Sequence, residues 1–512
     1  MKIKKHTVFI LSKIILGFQY LFRKRQLLNR KMKDKYSPRM IGLSAAIIVG
    51  FLWVIAIFTP PYLGVADDGT FYKVMEQSGL SYIQEDTADI YNNYYIRIYK
   101  LDNVKSVSGI GNSQEIFIKS AIFLDRIFTK DGYFDIRFLA ALYGIFFLPA
   151  VYSLVKQACI RVSNFSEAIV ILVFGVLIFG DITYLTYSAS LYPEALWLIC
   201  LLYTAVIICS LRKGNSFLKL FSLMLVGIPF SLSRQQCGII GILIAGFFLR
   251  AIFLDKGLAW KLNCILYALI LSISGFISLY KLEPDFSITS KYHSMTRGVL
   301  FQAENPEKAL EEFGINSSYS VLANTSAYDY YPLVTSDTKV LYEGFYDKYS
   351  PYDISLYYVK HPGNFIRMMD IAVKGVTNLR RSYCGNYEMS AGMPRMAKSL
   401  FWSGWSNFKE RSMPKTIGYL ILLLIISFVF YGRGTQPGSN RNPLKDSQLM
   451  AETVIITAGI GITQAVITII MSGDAEITQH GFLLGAALDV ILYFTAADLL
   501  SKLDILQERE GK

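Results

Sequence analysis

Nineteen consecutive residues, Met40 to Phe58 (MIGLSAAIIVGFLWVIAIF), carry no charge. As a helix, a run of that length crosses a hydrocarbon core of ~30 Å, since each residue advances about 1.5 Å. Inside lipid the backbone satisfies its polar groups only as a helix or a closed barrel, so the run commits the chain to a membrane-embedded helical fold. Nine similar runs follow, at approximately 133–155, 165–180, 190–211, 216–232, 236–254, 260–280, 415–431, 450–471 and 481–500. The 512 residues are 53% hydrophobic and only 18% charged, which excludes an ordinary water-soluble domain of this size. The expected fold is an all-α polytopic membrane protein of about ten transmembrane helices with two large loops.

Basic residues in short loops set the orientation. Twelve of the first 39 residues are Lys or Arg, and further basic residues fall on that side at Lys156 and Arg161, Arg212 and Lys213, Arg250 to Lys261, Arg433 to Lys445, and from Lys502 onward. The opposing short loops 181–189 and 472–480 contain none. Both termini are therefore expected in the cytoplasm of a multi-pass protein of the cell (plasma) membrane, with loops 59–132 and 281–414 extracytoplasmic. The corresponding division is a basic segment 1–39 with an interfacial helix over His6–Phe22, a core 40–280 carrying the first outer loop, a second outer loop or cap 281–414, three spans in 415–500, and a tail 501–512. The net charge of +12 reads as cytoplasmic-loop retention and attraction to anionic headgroups rather than nucleic-acid binding. Of six cysteines, five (159, 200, 209, 237, 264) lie in or beside spans and only Cys384 lies in a large outer loop, so no disulfide or structural zinc is expected.

Polar residues break the apolar pattern at particular places. Asp67 and Asp68 adjoin in VADDGTFYKVMEQSGL, about ten residues beyond the first span. Ionisable groups near membrane depth are functional candidates, and a carboxylate at the lipid boundary can act as a base toward a lipid-linked substrate. Asp181 and Glu194 bracket the next outer connection (GDITYLTYSASLYPEAL), where each also reads as an ordinary helix-end acid. In SLSRQQCG, Arg234 with Gln235 and Gln236 places a cation outside, against the positive-inside trend. A guanidinium fork there suits a phosphate, or it snorkels to a lipid headgroup. Lys291, His293 and Arg297 follow in FSITSKYHSMTRGVL, and Asp474, Glu476 and His480 in SGDAEITQHGF. Tyrosine-rich stretches (91–99, 328–332, 342–358) serve either as an interfacial belt or as platforms for sugar faces. Walker A, GxGxxG, GxSxG and H-E-x-x-H patterns are absent, so any synthetic reaction must receive its energy inside an activated substrate.

The order of VADDGTFYKVMEQSGL, GDITYLTYSASLYPEA, SLSRQQ, KYHSMTRGVL with NPEKALEEFGI, and SGDAEITQHGF, over roughly residues 45–490, resembles the GT-C glycosyltransferases. It is similar in particular to the WsfD-like glycan-biosynthesis hexose transferases. Two departures stand out: Arg234–Gln235–Gln236 replaces a Lys–Pro–Gln pattern, and Gln479–His480 replaces Lys–His. The resemblance implies inverting transfer of a hexose from a polyprenyl-phosphate donor to a hydroxyl of an envelope glycan. Asp68 or Asp67 would be the base, and Arg234, Lys291 and Arg297 would meet the donor phosphate. Asp181, Glu194, Gln235, Gln236, His293 and His480 would line the acceptor pocket. A divalent cation (Mg or Mn) is the one cofactor considered, with Asp67, Asp181 and Glu194 as its candidate ligands. The expected partners are the bilayer, the lipid-linked donor and the glycan acceptor, with no nucleic acid. A transporter or flippase of a lipid-linked saccharide is the alternative, since transport pathways also use intramembrane charges.

Overall fold

The computed structural model describes residues 29, 37–102, 112–211, 217–255, 257–281, 288–327, 329, 332–333, 335–377, 380, 384–432, 443–475, 477 and 481–510. The interfacial helix expected over His6–Phe22 and the candidate residue His480 lie outside them. Each apolar run folds as a helix. In chain order these are α1 (Pro38–Phe58), α4 (Arg137–Cys159), α5 (Phe165–Phe179), α7 (Glu194–Ser210), α8 (Phe217–Ser231), α9 (Gly238–Ala251), α10 (Leu258–Lys281), α15 (Ile417–Gly432), α16 (Pro443–Ser472) and α17 (Phe482–Glu510). Among the described residues six helices are long and apolar enough to cross a membrane, and up to eight if each of two bent pairs is one span. The bent pairs are α5 with the short α6 (Ile182–Thr186) and its continuation, at 50°, and α14 (Gly404–Ser412) with α15, at 114°. α7 and α8 are apolar but only 17 and 15 residues long. Length and apolarity thus support six to eight spans where the hydropathy runs predict about ten.

Lipid offers no partner to a backbone or a charge, so the helices meet through close contacts and internally matched polar groups. At the α9–α10 crossing, Gly238 and Gly275 face each other so closely that a Cβ on Gly238 would lie 2.5 Å from the Gly275 carbonyl oxygen. Lys409 of α14 and Asp489 of α17 form an ion pair of 2.8 Å, with 2% and 1% of their side chains exposed. Trp405 donates to the same carboxylate at 3.0 Å and the Tyr184 hydroxyl at 2.5 Å. On the face bearing the basic loops, Arg161 grips Asp498 through two hydrogen bonds of 2.6 Å.

The opposite face carries the irregular part of the fold. After α1 the chain forms β1 (Leu63–Val65), α2 (Phe71–Ser78), β2 (Leu80–Ser81), β3 (Ile98–Leu101), α3 (Ser113–Phe128) and β4 (Tyr133–Asp135). β3 pairs antiparallel with both β2 and β4. This strand pairing takes Tyr133–Asp135 out of the expected second span, whose helix starts at Arg137. The second long loop supplies α11 (Ile288–His293), a π-helical turn (Ser294–Val299), α12 (Pro351–Lys360), α13 (Pro362–Thr377) and β5 (Cys384–Tyr387). β5 pairs antiparallel with β1, Leu63 opposite Tyr387 and Gly64 opposite Asn386, so the two long loops are stitched together. Arg97 reinforces the seam through Asp135 at 2.6 Å and Glu388 at 3.2 Å, and Arg97 and Arg137 both lie over the Tyr62 ring. The six cysteines are buried thiols.

Candidate active site

Asp67 and Asp68 occupy the turn between β1 and α2, and their surroundings differ. Asp67 is buried, with 2% of its surface exposed. Its Oδ1 accepts the backbone N–H groups of Gly69 at 2.8 Å and Phe71 at 3.1 Å, which caps the start of α2. Its Oδ2 accepts the Tyr82 hydroxyl. Burial raises the Asp67 carboxyl above the usual range, while the hydrogen bonds from Tyr82, Phe71 and Gly69 pull the other way. Asp68 is half-buried at the mouth of the turn. Its Oδ1 accepts the Thr70 backbone N–H at 3.1 Å and hydroxyl at 2.7 Å, an Asx-type local bond. Its own N–H donates to the Tyr192 hydroxyl at 2.9 Å, and the Tyr192 ring packs edge-on to Phe71.

Tyr192 leads from these acids to the second element of the site. Two residues on, Glu194 opens α7, buried at 2% exposure where the helix dipole favours an acid. One turn further, Trp197 donates from its indole nitrogen to Ser233 at 2.8 Å, and the half-buried Arg234 guanidinium lies 5.8 Å from its ring centroid. The Arg234 backbone is held by Ser278, whose hydroxyl donates to its carbonyl at 2.9 Å, and Gln235 donates to the Leu279 carbonyl at 2.8 Å. Gln236 is buried. The start of α3 clasps both connections: Gln114 donates to the Leu191 carbonyl and Ser113 to those of Leu232 and Pro229. Contacts thus join Asp68 to Tyr192 and Arg234 to Trp197, and Tyr192 and Trp197 bracket the start of α7 five residues apart in the chain.

The remaining candidates lie in two other neighbourhoods. Lys291 rests over the Tyr349 ring at 5.4 Å, and Tyr349 donates back to the Lys291 carbonyl. His293 Nε2 accepts the Ala327 backbone N–H at 2.9 Å and lies 3.1 Å from the Ser326 hydroxyl. Arg297, in the π-helical turn, binds both oxygens of Asp474 at 2.7 and 2.8 Å and Asn324 Oδ1 at 2.7 Å. Gly473 makes that contact sterically open: its φ is +61° and a Cβ there would lie 2.5 Å from the Gly298 nitrogen. Asp181 is buried and caps α6 through Thr183, while its second oxygen receives the Ser406 N–H at 2.9 Å and hydroxyl at 3.1 Å from α14. Among the described residues no group of three or more His, Cys, Asp or Glu comes together as a metal site. Asp67 accepts from Gly69, Phe71 and Tyr82, and Asp181 from Thr183 and Ser406.

A model of the YfdI N-terminal transmembrane domain matches residues 24–512. The chain belongs to that family. No curated protein matches it. The match covers both long loops of this YfdI-family chain.

Sequence reasoning missed three groups around the site. Tyr82 and Tyr192 are ordinary members of a tyrosine-rich chain, and nothing in their spacing marks them. Arg380 carried no signal either, because it is one of many basic residues in the long loop 281–414, where the charge rule for short loops does not apply. It is 5% exposed and donates to the Ser399 carbonyl and, at 3.4 Å, to that of Cys384 in β5. Burial pushes its pKa down, and Lys398, whose ammonium donates to the Arg380 carbonyl, is pushed down by burial and by the Arg380 charge.

Proposed function

We propose that the protein is an inverting membrane glycosyltransferase. It moves a hexose from a polyprenyl-phosphate carrier to a hydroxyl of a cell-envelope glycan at the extracytoplasmic face. Membership of the YfdI family, a GT-C-like family, supports the reaction class. The observation that carries the reading is the division between neighbouring acids: Asp67 is buried under three donors while Asp68 stands half-buried at the mouth, bonded to the Tyr192 that precedes the helix whose Trp197 meets the Arg234 cation.

In this reading Asp68 accepts the proton of the acceptor hydroxyl as its oxygen attacks the anomeric carbon. The bond from that carbon to the phosphate oxygen breaks, the electron pair leaves with the polyprenyl phosphate, and the configuration inverts. A base in this role contributes about 10²–10⁴-fold. Arg234, fixed over Trp197, stabilises the departing phosphate. Arg297 acts through its Asp474 pair, holding the π-helical turn that follows α11 rather than meeting phosphate itself. Glu194, Gln235 and Gln236 shape the acceptor pocket, His293 fixes the 325–327 segment, and Asp181 anchors α14.

The test is hexose transfer by reconstituted protein supplied with a panel of polyprenyl-phosphate sugars and envelope glycan acceptors. Asp68→Asn is expected to lower transfer from one donor by at least about 10²-fold while the fold is kept. Translocation of the donor without transfer, equal in parent and variant, would replace this reading with the flippase alternative.

A further inference from the structure

We propose that Tyr192 is a positioning residue of the candidate site: its hydroxyl bonds the peptide groups on both sides of Asp67 and thereby sets where Asp68 points. The proposal rests on the transferase reading, in which Asp68 is the base. Tyr192 comes from the connection before α7, 124 positions from Asp68 along the chain. Its hydroxyl accepts the Asp68 backbone N–H at 2.9 Å and donates to the Ala66 carbonyl at 3.4 Å. A hydroxyl both donates and accepts, so one side chain serves both groups.

Those two groups belong to the peptide units immediately before and after the Asp67 Cα. Peptide units are planar, so only φ and ψ of Asp67 lie between them. Neither torsion can turn far without lengthening one of the two bonds, and together they fix the direction in which the chain carries Asp68. The Asp68 carboxylate accepts from Thr70 within the same turn, so it travels with that turn. Tyr192 is itself held. It is buried, and its ring packs edge-on to Phe71 at 4.4 Å and to Tyr187 at 6.2 Å. The buried Gln114 amide donates to the adjoining Leu191 carbonyl at 2.5 Å, and the Tyr192 N–H donates to the Ser190 hydroxyl at 3.4 Å. A buried phenol bonded to backbone groups acts through Asp68 and not on substrate. A reacting group displaced by about 1 Å can lose about 10²-fold in rate.

The test compares the full-length parent, Tyr192→Phe and Tyr187→Phe, reconstituted for hexose transfer and in detergent for single-amide hydrogen exchange. Tyr192→Phe keeps the ring against Phe71 and removes the hydroxyl. Tyr187→Phe removes a hydroxyl from the same aromatic cluster, one that accepts the Cys384 thiol at 3.3 Å. Tyr192→Phe is expected to lower kcat by about 10–10²-fold, with KM for donor and acceptor within about twofold of the parent. Its Asp68 amide should exchange at least about fivefold faster, the loss of one ordinary hydrogen bond. Tyr187→Phe should match the parent in both measurements. A parent-like kcat in folded Tyr192→Phe overturns the proposal. An equal loss in Tyr187→Phe does the same, as does a KM that rises while kcat falls, the mark of a collapsed site. A parent that transfers nothing fails the transferase reading instead, and exchange at Asp68 then decides whether the hydroxyl holds the turn. If Tyr192→Phe does not fold, the parent decides: an Asp68 amide that exchanges at the rate of an unbonded one overturns the proposal.

Discussion

Asp67 and Asp68 have the same side chain one residue apart, and the backbone turn gives them opposite environments. The buried Asp67 carboxyl has its pKa raised by desolvation, so its ionised form is disfavoured in the folded protein relative to the unfolded chain. For a raised pKa the associated stability is full below the unfolded value and is lost as pH rises through the folded one. The difference in thermal stability between the parent and Asp67→Asn is therefore expected to drift against the parent as pH climbs from about 4 toward neutrality. Thermal denaturation of the two proteins across that window measures it, and a flat difference would contradict the burial argument. Asp68→Asn, at a half-buried position, should keep the fold and lose activity instead. Nothing in the sequence separates two identical neighbours, because the distinction comes from which of them meets Tyr82 and the amides of Gly69 and Phe71.

At the scale of elements, the contact between the π-helical turn and the loop after α16 rests on Arg297, Asp474 and Gly473. Asp474→Asn removes the charge from a bidentate pair whose side chains are 26% and 12% exposed; after allowance for solvent screening it should destabilise the protein by about 1–3 kcal/mol. Gly473→Ala should cost at least about 2 kcal/mol, from the positive φ and from the clash with the Gly298 nitrogen. Both are read from chemical or thermal denaturation in detergent, and a Gly473→Ala protein as stable as the parent would mean the contact is looser than described. The helices behind this contact were legible, since charge-free runs of the right length have one structural answer in lipid. The contact itself was not: Arg297 and Asp474 are 177 positions apart, and β1 and β5 are strands of three and four residues whose partners lie more than 300 residues away. Such short pairings leave no periodicity to read. Arg234 was legible because a cation in a short loop expected on the outer side breaks a charge rule, whereas the Trp197 ring beneath it looked like any apolar residue of α7.

Across the described part of the molecule, Arg161–Asp498 and Lys409–Asp489 pair buried charges within the helical body, and their loss should be felt globally. Lys409→Met leaves Asp489 buried without its cation and should lower stability by about 3–5 kcal/mol. Pairing it with Asp489→Leu removes the stranded charge and is expected to recover most of that loss. The comparison of single and double variants by thermal unfolding checks both statements, and a double variant no better than the single would show that the Trp405 and Tyr184 bonds to Asp489 dominate.

The antiparallel pairing of β1 with β5 also sets a schedule. As the chain is made from its N-terminus, the turn holding Asp67 and Asp68 emerges early, yet the strand that closes beside it begins only at Cys384. Seven of the ten apolar helices are synthesised before that strand exists. The acids therefore wait, their strand edge uncovered, until three-quarters of the protein has left the ribosome, and a chain arrested before residue 384 carries every residue of the Asp68–Arg234 pathway without the clasp that shapes it.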